Sequence, residues 1–171
     1  GSFQGWDIKT AKPIAHSTLT KGLYEAYVDL TTTDGSDVAF KFSPQLGAWD
    51  NDFAVDGEAT VTTDGDGNVV VSASTISEGE SDIKVPSGFY RISMNKKFNK
   101  LAMVKIESMG IIGDATAGGW GAETPMTYDA ETNTYSVVTT LINGKSYKFR
   151  ANNNWTYSIG NNGAFEGGGD Y

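Results

Sequence analysis

The chain states one pattern twice. Gly5-Trp6, Gly22-Leu23-Tyr24, Phe40-Lys41-Phe42 and Trp49 return in the same order as Gly119-Trp120, Asn133-Thr134-Tyr135, Tyr147-Lys148-Phe149 and Trp155. The offset falls smoothly from 114 residues at the first Trp to 106 at the second, as loop deletions between two copies of one module would make it. Whatever the architecture is, it has to close within roughly 110 residues and be buildable twice in one chain. All four Trp residues sit on repeated positions. An indole is costly to expose, so its presence at matching places marks either a shared core or a shared binding surface.

Between the Trp positions the apolar residues alternate with period 2, as half-buried strands require. The strand candidates are residues 23–30, 38–42, 68–72, 82–85, 88–94 and 101–106. Asp34-Gly35, Asp56-Gly57, Asp64-Gly65-Asp66-Gly67-Asn68, Pro86-Ser87-Gly88 and Asn143-Gly144 supply the turn chemistry between elements. No stretch reads as a helix. The expected fold is all-β: two tandem immunoglobulin-like antiparallel β-sandwich modules, 1–108 and 109–171. The second copy is expected to be incomplete, because residues 167–171 align loosely with the region of Gly79 to Ile83 and nothing follows them. Three first-module strands, among them Gly88-Phe89-Tyr90-Arg91-Ile92, then lack counterparts. An unpaired edge is the expected result, unless another chain supplies the strands.

A net charge of −8 and a pI near 4.5 argue against an electrostatic grip on nucleic acid or anionic membrane, and neutral ligands fit better. No apolar run approaches the ~20 residues of a membrane-spanning helix. There is no Cys, so disulfides and thiolate metal sites are excluded, while the compartment stays open. Gly1 opens inside a module-like motif, which leaves room for an export signal or lipid attachment site upstream.

Trp6 and Trp120 each follow Gly among small or polar neighbours, which reads as a loop in both cases. Trp49 and Trp155 lie in polar loops after a strand that carries Lys41 or Lys148. Two indoles from two loops at one end of a module can form a platform. Such a platform suits sugars, whose C–H face stacks on an aromatic ring while the rim hydroxyls take short polar partners. Lys41, Lys148, Arg150, Asn152, Asn153 and Asn154 are nearby for the second task. An equally open reading is that one Trp of each pair plugs the end of its module. Tyr24 and Tyr135, inside alternating strands, read as packing residues.

Catalysis has little support in the sequence. His16 is the only histidine and has no repeat partner. Asp50/Asp52 and Glu78/Glu80 are adjacent acids of the kind that loops usually leave solvated. Neither GxSxG nor HExxH occurs. Residues 64–68 resemble a calcium loop but lack its distal Glu, and read better as a hairpin turn. No catalytic residue, metal or cofactor is expected.

Ile111-Ile112-Gly113-Asp114-Ala115-Thr116-Ala117-Gly118-Gly119-Trp120, then Tyr147-Lys148-Phe149-Arg150-Ala151-Asn152-Asn153-Asn154-Trp155 and a Gly/Asn-rich tail, is similar to the carbohydrate-binding modules of the SusE/SusF family of outer-membrane starch-utilisation lipoproteins. The first copy resembles them more loosely, through Gly1 to Trp6, Phe40-Lys41-Phe42 and Gly88-Phe89-Tyr90-Arg91-Ile92. The resemblance implies tandem β-sandwich modules on the cell surface, lipid-anchored to the outer membrane and without enzymatic activity. Such modules hold starch or a related oligosaccharide near glycan-uptake components. It selects Trp120, Trp155, Lys148, Arg150 and Asn154 in copy two, and Trp6, Trp49 and Lys41 in copy one. Copy one departs from the pattern where Phe42-Ser43-Pro44 replaces Phe149-Arg150-Ala151, which puts its affinity or its ligand in question. The rival classes are a structural or assembly protein of the cell surface, whose Trp pairs would be buried, and a small glycosidase or lyase.

Overall fold

Alternation decides which segments become strands, and in a computed structural model of the chain every pairing among the described strands is antiparallel. The structure describes residues 1–17, 22–55, 58–73, 76–78 (backbone only), 81–95 and 100–160. The expected turn at Asp56-Gly57 and the tail at 167–171 lie outside the described residues. No described helix is long and apolar enough to cross a membrane. Two compact units are present, one spanning Gly1–Lys105 and the other beginning at Ile106. The second unit takes hold of the chain early: Asn152 Oδ1 accepts the Glu107 N–H at 2.8 Å and the Ser108 N–H at 3.2 Å.

The first unit contains β1 (Ala15–His16), β2 (Leu23–Leu30), β3 (Val38–Phe40), β4 (Phe53–Val55), β5 (Thr60–Thr63), β6 (Val69–Ala73), β7 (Ile76–Glu78), β8 (Ile83–Val85), β9 (Gly88–Asn95) and β10 (Lys100–Lys105). Six of these form a sheet in the order β1-β2-β9-β10-β6-β5, while β3 pairs with β8 and β4 with β7. Val28 and Leu30 of β2, Tyr90 and Ile92 of β9 and Leu101 and Met103 of β10 meet Val38, Phe40, Val55, Ile83 and Val85 in one core. β2 buries Val28 and Leu30 and turns Tyr27 outward, where that ring stacks on Phe89 at 6.3 Å. Tyr90 is fully buried with its hydroxyl satisfied, donating to the Pro86 carbonyl at 2.9 Å.

Residues 64–68 close the β5–β6 hairpin, with Asp64 Oδ1 accepting from the Asp66 and Asn68 amides at 3.0 and 2.9 Å. His16 lies in β1. Its ring meets Tyr24 edge-on across the pair at 5.2 Å. β4 and β5 escaped the sequence reading because β4 is three residues long and β5 is a Thr-rich strand exposed throughout.

The second unit contains β11 (Met109–Gly113), β12 (Gly119–Pro125), β13 (Thr127–Asp129), β14 (Thr134–Ser136), β15 (Lys148–Ala151) and β16 (Ser158–Ile159). Its main sheet runs β12-β11-β15-β16, and β13 pairs with β14. β11 has a hydrogen-bonded neighbour on each side and is buried at every residue, so both of its faces are covered. That explains a continuous apolar run in place of alternation.

Replacing Leu30, 1% exposed, by Ala should cost the first unit about 3 kcal/mol in chemical denaturation. A loss below about 1 kcal/mol would mean that β2 is not part of the core.

Asp129 caps the β13–β14 turn: hydrogen bonds from the Thr132 hydroxyl first, and from the Glu131 amide next, hold its carboxyl below the ordinary Asp value. A depressed folded value means that the cap contributes fully above the unfolded Asp range of about 3.9, and is lost as pH falls through the folded value. Carboxyl-carbon NMR titration should give a midpoint below that range; an ordinary midpoint would dismiss the cap.

Candidate functional site

The repeated Gly-Trp dipeptide has a backbone cause. Gly5 has φ 63° and Gly119 has φ 56°, in the left-handed region where a side chain is disfavoured, so Gly in both copies lets the chain swing the next indole outward. Trp6 itself has φ 60°, unusual for a bulky residue, and its N–H donates to the Gly1 carbonyl at 2.9 Å. Trp120 was expected in a loop but lies in β12. Its sheet partner β11 is irregular between Ile111 and Gly113, which lets the strand begin one residue before the indole.

The second indole of each unit comes from a reversal after the Lys-bearing segment. In the first unit Phe42 and Phe53 exchange backbone hydrogen bonds of 2.8 and 2.6 Å, so residues 43–52 form a closed loop carrying Trp49. The Ser43 hydroxyl gathers the loop, lying 2.6 and 2.9 Å from the Gln45 and Ala48 carbonyls. In the second unit Asn152 and Asn153 adopt left-handed φ of 53° and 55°, and Asn154 Oδ1 accepts the Thr156 N–H at 2.9 Å to start a 3-10 turn headed by Trp155. Asn tolerates the left-handed region better than most side chains, which accounts for the Asn run. The oxygens expected to receive sugar hydroxyls are thus at work in the turn. Asn152 holds the start of the unit, Asn153 holds Arg150, and Asn154 holds the turn.

Both reversals bring their indole to its partner. Trp6 and Trp49 have ring centroids 6.0 Å apart, and Trp120 and Trp155 have theirs 6.1 Å apart. The planes are inclined by 53° and 40°, so each pair is a shallow trough rather than the flat platform expected. Trp49, Trp120 and Trp155 keep 41, 39 and 48% of their surface in water, and Trp6 is half-buried.

Charge beside the two troughs is arranged differently. In the first unit Lys41 Nζ lies 2.9 Å from Asp52, and these two residues with Trp6 and Trp49 line a depression of about 340 Å³. Asp52, read from sequence as half of a solvated acid pair, is the counter-ion of the repeated lysine. In the second unit the Arg150 guanidinium lies 4.7 Å from the Trp155 ring centroid. Its Nε donates to Glu123 at 2.9 Å and its Nη2 to Asn153 at 3.1 Å. Side chains of the Arg150–Glu123 pair are each only 10% exposed, so removing either partner strands a charge. Lys148, two residues earlier on β15, shares the strand face of Arg150 and is half-buried.

Glu123 was not foreseen from sequence. It belongs to β12 and Arg150 to β15, with β11 between them, so the ion pair crosses the middle strand. Gly110, opposite Arg150 in register, makes the crossing possible: a Cβ there would lie 2.7 Å from the Glu123 carboxyl carbon. A lone acid in a strand whose central neighbour contains Gly is the available signal, but it gains meaning only with the strand order.

No family model, curated protein or solved structure matches the chain.

Glu123→Ala should destabilise the second unit by about 3 kcal/mol and shift the Trp155 indole N–H resonance, as Arg150 loses its anchor under the ring. Gly110→Ala should move the same resonance by displacing the carboxylate. A silent Trp155 signal in both variants would show that the ion pair does not position the indole.

Proposed function

We propose that the protein is a non-catalytic glycan-binding protein with one sugar site in each unit. One observation carries the reading. Two sequence-distant indoles converge to about 6 Å in both units, at the same repeat positions, with open surface and cations close by. A fold that needed these rings only for packing has no reason to leave them in water twice. Sugars suit a trough of this chemistry, since apolar C–H faces cover the indoles while hydroxyls reach Lys41 and Asp52 in one unit and Lys148 and Arg150 in the other.

The inclined rings favour a chain that curves. Adjacent residues of an α-linked glucan are turned relative to one another and can each face one ring, whereas a flat, extended β-linked chain meets both faces less well. Starch or a related α-glucan is therefore the substrate class proposed. The similarity to SusE/SusF modules supports the same class and adds outer-membrane surface display through a lipid anchor, with glycan-uptake components as partners. Open indoles count against the rival reading of a purely structural surface protein, which calls for buried ones.

Each site should bind weakly, because a few stacked rings and hydrogen bonds leave little net free energy after ordering costs. Two sites on one chain compensate when the ligand is a polymer. Trp155→Ala should weaken retention on an α-glucan affinity gel, and the Trp49→Ala/Trp155→Ala double variant should lose at least about tenfold, or ~1.4 kcal/mol. Undiminished retention of a folded double variant would remove both sites from consideration.

A further inference from the structure

The two units differ in what lies against the second indole. In the second unit Arg150 of β15 comes within 4.7 Å of the Trp155 ring centroid, and Glu123 holds it there. The matching residue of the first unit is Ser43, whose hydroxyl is taken up by the Gln45 and Ala48 carbonyls. A seryl side chain is too short to repeat the contact. Trp49 instead adjoins a cavity of about 640 Å³. Phe42, Ser43 and Pro44, the stretch in which the first copy departs from the second, all stand in its wall.

The chemistry of the cavity is apolar. Its inner wall is made by Val28 and Leu30 of β2, Phe40 of β3 and Ile92 of β9, all of them buried. No described residue that lines it is acidic, so nothing there repeats Glu123, and a cation drawn inside would be stranded. Lys12, Pro13, Pro44, Gln45 and Leu46 are its exposed lining residues and mark its mouth. Lys41 and Trp49 line both this cavity and the depression that holds the first trough, so the two spaces are neighbours.

We propose that the first unit binds a glucoside carrying an unbranched aliphatic chain, with the sugar on Trp6 and Trp49 and the chain in the cavity. The inference rests on the sugar reading above and narrows the ligand of one unit. The chain takes the place beside Trp49 that the Arg150 side chain takes beside Trp155, without the charge that only Glu123 makes tolerable. The volume falls within the range of about 300–1,000 Å³ usual for small-molecule sites. Burial of the chain supplies the drive, at about fourfold in affinity for each methylene that leaves water.

The test titrates methyl, hexyl and octyl maltoside into the full chain, each below its micellar concentration, and follows the indole N–H and methionine methyl NMR signals. Methyl maltoside reads the trough alone and should move Trp49 while leaving Met94, which lines the cavity, in place. Octyl maltoside should bind about tenfold more tightly than hexyl maltoside, and both should move the Met94 methyl. Ile14→Phe and Val28→Phe each put a ring into the cavity. Both should abolish the gain with chain length and keep the response to methyl maltoside, which also shows that the unit stays folded. Equal affinity across the series with Trp49 still moving would overturn the chain site and leave the sugar reading standing. If methyl maltoside moves no indole, the sugar reading fails and this inference with it. Octan-1-ol acting on Met94 as tightly as octyl maltoside would overturn the joint use of trough and cavity.

Discussion

An indole left half in water cannot be fixed by a core, so its own neighbours have to hold it, and the arrangement of both troughs follows from this. A left-handed Gly aims the first ring in each unit. A closed reversal after the Lys-bearing segment aims the second. With two unrelated pieces of backbone converging at about 6 Å, each ring covers part of the other and leaves one face open. The cost of that open face, and of the left-handed Trp6, is carried by the strands behind them.

The units solve the charge problem in different ways. Arg150 is largely buried against Glu123 and Asn153 and lies against the Trp155 ring, so the second trough has a rigid cationic support that spans three strands. At the matching place the first unit has Ser43, which ties its own loop, and the cation is Lys41 paired with the half-buried Asp52. A guanidinium fixed by planar hydrogen bonds is preorganised, while an ammonium on a flexible stem is less so. Two troughs of one geometry thereby differ in stiffness, and the departure of Phe42-Ser43-Pro44 from Phe149-Arg150-Ala151 acquires a physical meaning.

The same repeat, used as an internal control, exposes what sheet pairing contributes. β2 and residues 134–142 share a tyrosine, Tyr24 or Tyr135, a leucine, Leu30 or Leu141, and an aromatic contact with the strand that precedes them. Only β2 has β9 beside it, and only β2 is a strand of full length with buried aliphatic side chains. Propensity alone does not make a strand of Val-Val-Thr-Thr-Leu-Ile; the neighbouring ladder does.

Much of the molecule was legible in order of residues. Period-2 alternation located β2, β6, β8, β9 and β10, the Asp-Gly and Asn-Gly pairs located turns, and the twofold pattern located all four Trp. β11 was not read as a strand, because a strand covered on both faces is buried throughout and loses the alternation that announces it. Three things belonged to the tertiary structure alone. They are the inclination of Trp6 to Trp49 and of Trp120 to Trp155, the passage of Glu123 over Gly110 to reach Arg150, and the use of the Asn152, Asn153 and Asn154 oxygens within the turn. Sequence carries local backbone preference and burial pattern, which act over a few residues. Which side chains face one another across a sheet is settled by strand order and register, and these depend on pairings between segments tens of residues apart.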